Sequence, residues 1–543
     1  MKSFDDIQYQ RVDISAVKAC IKESCAMLKK AARFSDVKQA VLKNSQCEGK
    51  LDTMFLVAGI RREMQPGGAF YEMELEFYLR EIPRLAKLQE KFAQGILDSR
   101  YLVEIEKEFG EGYVREKKAE WLMRNKKILH DHFFENELAH KYKSMSHESK
   151  TRIRETGEKS STGELEKKMM SPSRAEREAS YKELNALLVR EFERYVIFDE
   201  KFIEVREKTA GKLGYENYIE YASALNCIEH IPRGDIRKLR DDIVRYLVPE
   251  VAELQKKHCR RNGTDAIPYY DENYLLAREN KKICANSREL LDLMKSFFFS
   301  VEKELKEFYR FMEERKLFRV VVDEQTYPSV RTVYLPDLHM PVLYGSINGT
   351  LADISMVFHD LGEAMRCWKS LEKSPDLMKI PGKIRKEIYS LFMEFLSVEY
   401  AAGIFGKSAE VYRDITLMNL MTSLLYYTLL DEYHEYVYSG GGHGPSERCR
   451  KWKSLEETYM PWRDYRGGEF FESGGGWAYD SRAVLYPFQH IQYVISGLRS
   501  LMLLGKWKTD PSSALEEMWD IDDSCSISEE DVMGAALLLR SYL

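Results

Sequence analysis

Closely spaced cysteine pairs are missing from this chain. Nine cysteines occur in 543 residues, none spaced as CxxC. An odd, scattered set argues against a disulfide framework or a cysteine-held zinc knuckle and leads one to expect a reducing compartment. Long apolar runs are also missing. No stretch approaches the roughly 18 residues needed to cross a bilayer as a helix. The opening MKSFDDIQYQRVD is polar and acidic, unlike a secretory leader. A cytoplasmic protein without a membrane partner is the expectation. Basic charge is not in excess, since the net charge is -6, which excludes a general nucleic-acid binder. Internal repeats and low-complexity segments are lacking too.

Glycine and proline are sparse before residue 340, and apolar residues there recur at helical spacing. Val17, Ile21, Cys25 and Leu28 form one stripe. Tyr71 to Lys91 and Tyr113 to Leu129 behave in the same way. The polar run from His147 to Gly163 reads as an exposed hairpin or loop. Helix resumes at Ala175 and continues to Leu213, where Gly214 suits a C-cap. Arg319 to Thr350 is different. It is rich in Val, Tyr and Thr with turn residues between runs, so two to four short strands are expected. Leu351 to Ser370, Glu387 to Tyr400 and Ala409 to Tyr438 return to helix.

The chemistry concentrates in MVFHDLGEAMRCW. Residues four apart share a helix face, so His359 and Glu363 can address one point. An imidazole and a carboxylate are both metal donors. Glu387, on the following helix, is the candidate third ligand. Glu394, seven residues on, lies on nearly the same face. A zinc peptidase helix would read His-Glu-x-x-His here. Asp360 therefore stands where the general base belongs, one methylene short, and Glu363 stands where a second imidazole belongs. A one-histidine, two-carboxylate set would be more anionic and would shift preference from zinc towards manganese or iron. The alternative is a hydrogen-bonded His359–Glu363 pair without any metal.

Other motifs extend beyond this helix. Tyr334-Leu335-Pro336-Asp337 and Asn348-Gly349-Thr350 precede it. Glu387-Ile388-Tyr389-Ser390 with Glu394-Phe395 follows, then Met460-Pro461-Trp462-Arg463-Asp464-Tyr465 and GGGWAYDSRAVLYPFQHIQY from Gly474 to Tyr493. In these motifs the chain resembles the M3 metallopeptidases, in their oligoendopeptidase F and Pz-peptidase branch, over essentially its whole length. The resemblance implies a mainly α fold. Two helical halves would enclose a deep channel, with a small β-ribbon or sheet before the active-site helix. It also implies an N-terminal helical region over 1–200 and a peptidase-like domain over 201–543. Monomers and homodimers both occur in the family.

The departures fall where the chemistry would be. Besides Asp360 and Glu363, Arg482 replaces a histidine that would assist the oxyanion. Gln489 and His490 replace paired tyrosines, and Gln492 replaces an aspartate, while Tyr493 persists. Arg482 is always protonated and can still face negative charge. His490 can donate a hydrogen bond in place of a phenol. Two expectations follow. One is a peptide or peptide-like ligand bound without ordinary hydrolysis, its backbone pairing with a sheet edge near Tyr344 to Ile347, with Tyr344, Gly345, Ser346 and Tyr493 as contacts. The other is a metal enzyme. It would use His359, Glu363 and Glu387 as ligands and Asp360 as acid or base, with Arg482, His490 and Tyr493 facing the substrate.

Overall fold

The computed structural model describes residues 3–64, 68–148, 150–152, 159–373, 383–521 and 526–543. In chain order, the elements used below begin with helices α1 (Ile14–Lys30) and α2 (Phe34–Met64). The hairpin β1 (Lys150–Arg152) and β2 (Lys159–Ser161) comes next, followed by α3 (Arg174–Lys212). Then come β3 (Phe318–Val322), β4 (Ser329–Leu335) and β5 (Met340–Ile347). Helices α4 (Leu351–Lys373), α5 (Lys383–Glu399), α6 (Ala409–Tyr438) and α7 (Ile491–Trp507) complete the set. Helix dominates, as the periodicity predicts. The hairpin falls within the polar run at 147–163, of which residues 149 and 153–158 lie outside the described residues.

Packing divides the chain into two units, each drawn from separate stretches. The first comprises Met1–Asn125, Lys282–Arg413 and Leu503–Cys525, and the second Lys126–Lys281, Asp414–Met502 and Ser526–Leu543. The chain leaves the first unit and returns to it twice.

In the first unit, α1 starts on Asp13, whose carboxylate accepts the Ser15 amide, and ends on Lys29 and Lys30. Both features suit the helix dipole. Val17 and Ile21 enter a core with Val37, Val41 and Leu51 of α2. The same packing joins Cys20 to Cys47 in a disulfide, with Cα atoms 6.6 Å apart. The sequence reading expected none. The bond links two residues 27 apart that only the docking of α1 on α2 brings together.

The three-stranded sheet also lies in the first unit, in the order β3-β5-β4. β5 is central, parallel to β3 and antiparallel to β4. The edge expected near Tyr344 to Ile347 is therefore not an edge. Tyr344, Gly345 and Ser346 have strand neighbours on both sides, and the outer strands are β3 and β4. Gly345 has φ +139°, and a Cβ there would run into the Ser329 carbonyl. Only glycine fits between these strands at that point.

The turn that launches α4 explains the Asn-Gly-Thr motif. The Asp353 carboxylate accepts the amides of Asn348 and Thr350, each at 3.0 Å. Gly349 adopts φ +82°, where a Cβ would strike the Cys284 carbonyl. Its own carbonyl accepts the amides of Ile283 and Cys284. The Tyr-Leu-Pro-Asp motif closes β4 and leads into a short 3-10 turn. There the Asp337 amide donates to Thr53 Oγ1 of α2 at 2.9 Å.

In the second unit, α3 begins on a Ser173 cap; it ends before Gly214 at φ +84°, the C-cap its sequence predicts. Its interior carries Asp199, ion-paired with Arg448, both almost fully buried. Among the described residues no single helix is long and apolar enough to cross a membrane. The one apolar pair, Lys383–Glu399 with Ala401–Tyr438, is bent by 65°.

Candidate functional site

Helix α4 is buried on nearly every side. The exceptions among its first four turns are Ala352, Met356, His359 and Glu363, spaced four, three and four apart. That is one stripe of a helix, and it puts His359 and Glu363 on the accessible face as expected. Asp360 lies about 100° further round and is buried. Its Oδ1 accepts the Thr332 amide of β4 at 2.7 Å, and its backbone carbonyl accepts the Thr332 hydroxyl at 2.6 Å. Asp360 thus pins α4 to the outer strand. Burial pushes its carboxyl up to about 6, against the lowering effect of a charged His359 and the Thr332 amide.

Helix α5 runs antiparallel to α4. Ser355 and His359 meet Glu394, while Glu363, one turn further along α4, meets Lys386, two turns earlier on α5. The close approach depends on Gly362. A Cβ there would collide with the Tyr389 carbonyl, so a larger side chain would hold the helices apart.

The imidazole of His359 sits between two carboxylates. Nδ1 is 2.6 Å from Glu394 Oε1, and Nε2 is 3.6 Å from Glu387 Oε2. Ser355 Oγ donates to the other oxygen of Glu394 at 2.8 Å. Burial alone would lower the imidazole pKa. The hydrogen bond and charge of Glu394, with the charges of Glu387 and Asp360, instead raise it to about 9. Glu363 takes a different partner: the Lys386 ammonium lies 3.0 Å from its Oε2. Sequence reading singled out neither Lys386 nor Thr332. Lys386 neighbours the candidate ligand Glu387, but nothing in its own pattern marks it.

Arg482, His490 and Tyr493 belong to the second unit. Arg482 is held by Asp480, through Nε to Oδ1 at 3.0 Å and Nη2 to Oδ2 at 2.7 Å, and lies over the Tyr426 ring. Its charge is thus already matched by a bidentate carboxylate. His490 stacks on Tyr427 of α6 at 4.6 Å, and Tyr493 of α7 meets the same ring edge-on at 5.0 Å. Arg482 and Asp480 also line a cavity of about 630 Å³ within this unit, with Tyr142, Tyr269, Tyr426 and Arg463 among its walls.

Three comparisons bear on this arrangement. Residues 4–122 match the family model of the peptidase M3 N-terminal domain. No curated protein sequence matches the chain. Among solved structures, Pz peptidase A with an inhibitor superposes with a TM-score of 0.78 at 22% identity, over 99% of each chain. The chain has the M3 oligopeptidase fold. An oligoendopeptidase F from Bacillus anthracis gives 0.73 at 22% identity over 100% of this chain and 97% of its own. Oligoendopeptidase-F from Enterococcus faecium gives 0.55 at 14% over 97% and 94%. Both the helical content and the small sheet ahead of α4 accord with the M3 fold.

The M3 family is a metallopeptidase family, so the donors of this chain can be tested against a metal. His359 Nε2 and Glu387 face one another, and Glu394 fixes the imidazole from behind, as an outer partner of a metal-bound histidine does. The third donor does not fit. Glu363 is engaged by an ammonium group, and among the described residues no three His, Cys, Asp or Glu side chains gather in a way that could hold a metal ion.

Proposed function

We propose that this M3-fold protein binds a peptide or peptide-like ligand and does not carry out ordinary zinc-dependent peptide hydrolysis. The single observation behind this reading is Glu363, which stands where the resemblance places an imidazole and is neutralised by Lys386. Two further features support it. Asp360, in the position of the base, has one oxygen committed to the Thr332 amide and is buried away from the accessible stripe of α4. Arg482, in the position of the oxyanion histidine, is committed to Asp480. Each would have to give up a partner before acting on a substrate.

Ligand binding does not need these groups free. The cavity in the second unit falls in the size range of small-ligand pockets and is lined by phenols, guanidinium groups and carboxylates. Such walls suit a chain of amides with mixed side chains. In the sheet, β4 is an outer strand, and a peptide backbone could extend it except at Thr332, whose amide is already taken.

A second reading, a metal-dependent hydrolase using His359, Glu363 and Glu387, draws on the 3.6 Å approach of His359 to Glu387. It requires Glu363 to leave Lys386. The two readings separate in a cleavage assay on quenched oligopeptides with added zinc or manganese, run beside a thermal-shift screen of the same peptides. The expected result is stabilisation without turnover. Metal-dependent turnover abolished by His359→Ala would reject the proposal. The paired change Asp360→Glu with Glu363→His is expected to give measurable cleavage.

A further inference from the structure

Lys386 pairs with Glu363, a carboxylate of the candidate donor set. Adjacent residues on a helix diverge by about 100°, yet Lys386 and Glu387 both reach α4. Glu387 approaches His359 and Lys386 approaches Glu363, which lie one turn apart on the same accessible stripe. The antiparallel hairpin, closed tightly at Gly362, thus presents a cation and an anion side by side to an anion and an imidazole. Glu363 is only 16% exposed, so its carboxylate is largely desolvated and needs a positive partner. The ammonium at 3.0 Å supplies it.

We propose that Lys386 is the resident cation of this centre. Its ammonium group holds the Glu363 carboxylate in place of a divalent ion and thereby keeps the His359, Glu363 and Glu387 set from taking up zinc or manganese. The inference rests on the reading above that ordinary zinc-dependent hydrolysis is lost, and it names the residue responsible. A divalent cation entering near Glu363 would face a like charge a few ångströms away. It would also have to displace a charge-assisted hydrogen bond. Removing the ammonium leaves a partly buried carboxylate without a counter-charge, one helical turn from an imidazole whose Nδ1 is already fixed by Glu394. Glu363 would then be free to turn towards His359 and Glu387 and complete a three-donor set whose imidazole Glu394 already orients.

The test is metal stoichiometry on the full-length protein. Wild type, Lys386→Met and Lys386→Arg are stripped with chelator, dialysed against micromolar zinc or manganese, and assayed for metal by mass spectrometry. Methionine keeps the length and apolar stem of lysine, and arginine keeps its charge. Circular dichroism and melting temperature verify that each variant folds. If Lys386→Met fails to fold, Lys386→Gln takes its place. Wild type and Lys386→Arg are expected to hold well under one tenth of an equivalent. Lys386→Met is expected to hold close to one, with affinity about 100-fold or more tighter than wild type. Adding His359→Ala should remove that metal again. One equivalent on wild type, or no gain in Lys386→Met, would overturn the inference. Because the readout is bound metal, wild type that binds zinc without cleaving peptides would sink this inference and leave the proposed function standing.

Discussion

Gly362 of α4 lies directly against the backbone carbonyl of Tyr389 of α5, with no room for a Cβ between them. That contact sets the spacing at which His359 meets Glu387 and Glu363 meets Lys386. Gly362→Ala is expected to destabilise the protein by about 1–3 kcal/mol through overpacking, despite the better helix propensity of alanine. Urea unfolding measures it. A gain in stability would mean that the helices part easily and that the spacing is not set here.

The imidazole of His359 titrates well above its usual range. Its folded pKa of about 9 exceeds the ordinary 6.5 because the favourable interactions with Glu394, Glu387 and Asp360 outweigh burial. The stability it contributes is complete below about 6.5 and is lost as pH rises through about 9. In chelator-treated buffer, the melting temperature should therefore fall between those values, and His359→Gln should flatten the fall. Parallel slopes for the two proteins would contradict the assignment.

Gly345 on the central strand is a second position where a methyl group cannot enter. With φ +139° and the Ser329 carbonyl in the way, Gly345→Ala is expected to cost about 1–3 kcal/mol. Its signature should include faster amide exchange along β4 and β5. The neighbouring Ser346→Ala should be much milder, since that residue is partly exposed.

Buried charge in the second unit gives a fourth prediction. Arg448 is 1% exposed and pairs with Asp199 of α3. Arg448→Met leaves that carboxylate buried and unpaired, at a cost of about 3–5 kcal/mol. Adding Asp199→Asn should recover most of the loss. A double variant as unstable as the single one would show that packing of the arginine over Trp477, not charge, carries the effect.

Much of this molecule follows from local sequence. Helical periodicity, the serine and aspartate caps, Gly214 after α3 and the Asp353 cap that launches α4 are rules of near neighbours, and the structure obeys them. The placing of His359 and Glu363 on one face follows from the repeat of the helix alone. What the sequence did not reveal depends on which residues of separate elements touch. The central place of β5, the Cys20–Cys47 bond, the capture of Asp360 by Thr332 and that of Glu363 by Lys386 are all of this kind. None has a period or a spacing to announce it, because each arises only when one packed surface selects its partner from another. Local sequence set the helices α4 and α5 and the face of α4 that carries His359 and Glu363; side-chain pairing between the two helices decided that Glu363 holds an ammonium group.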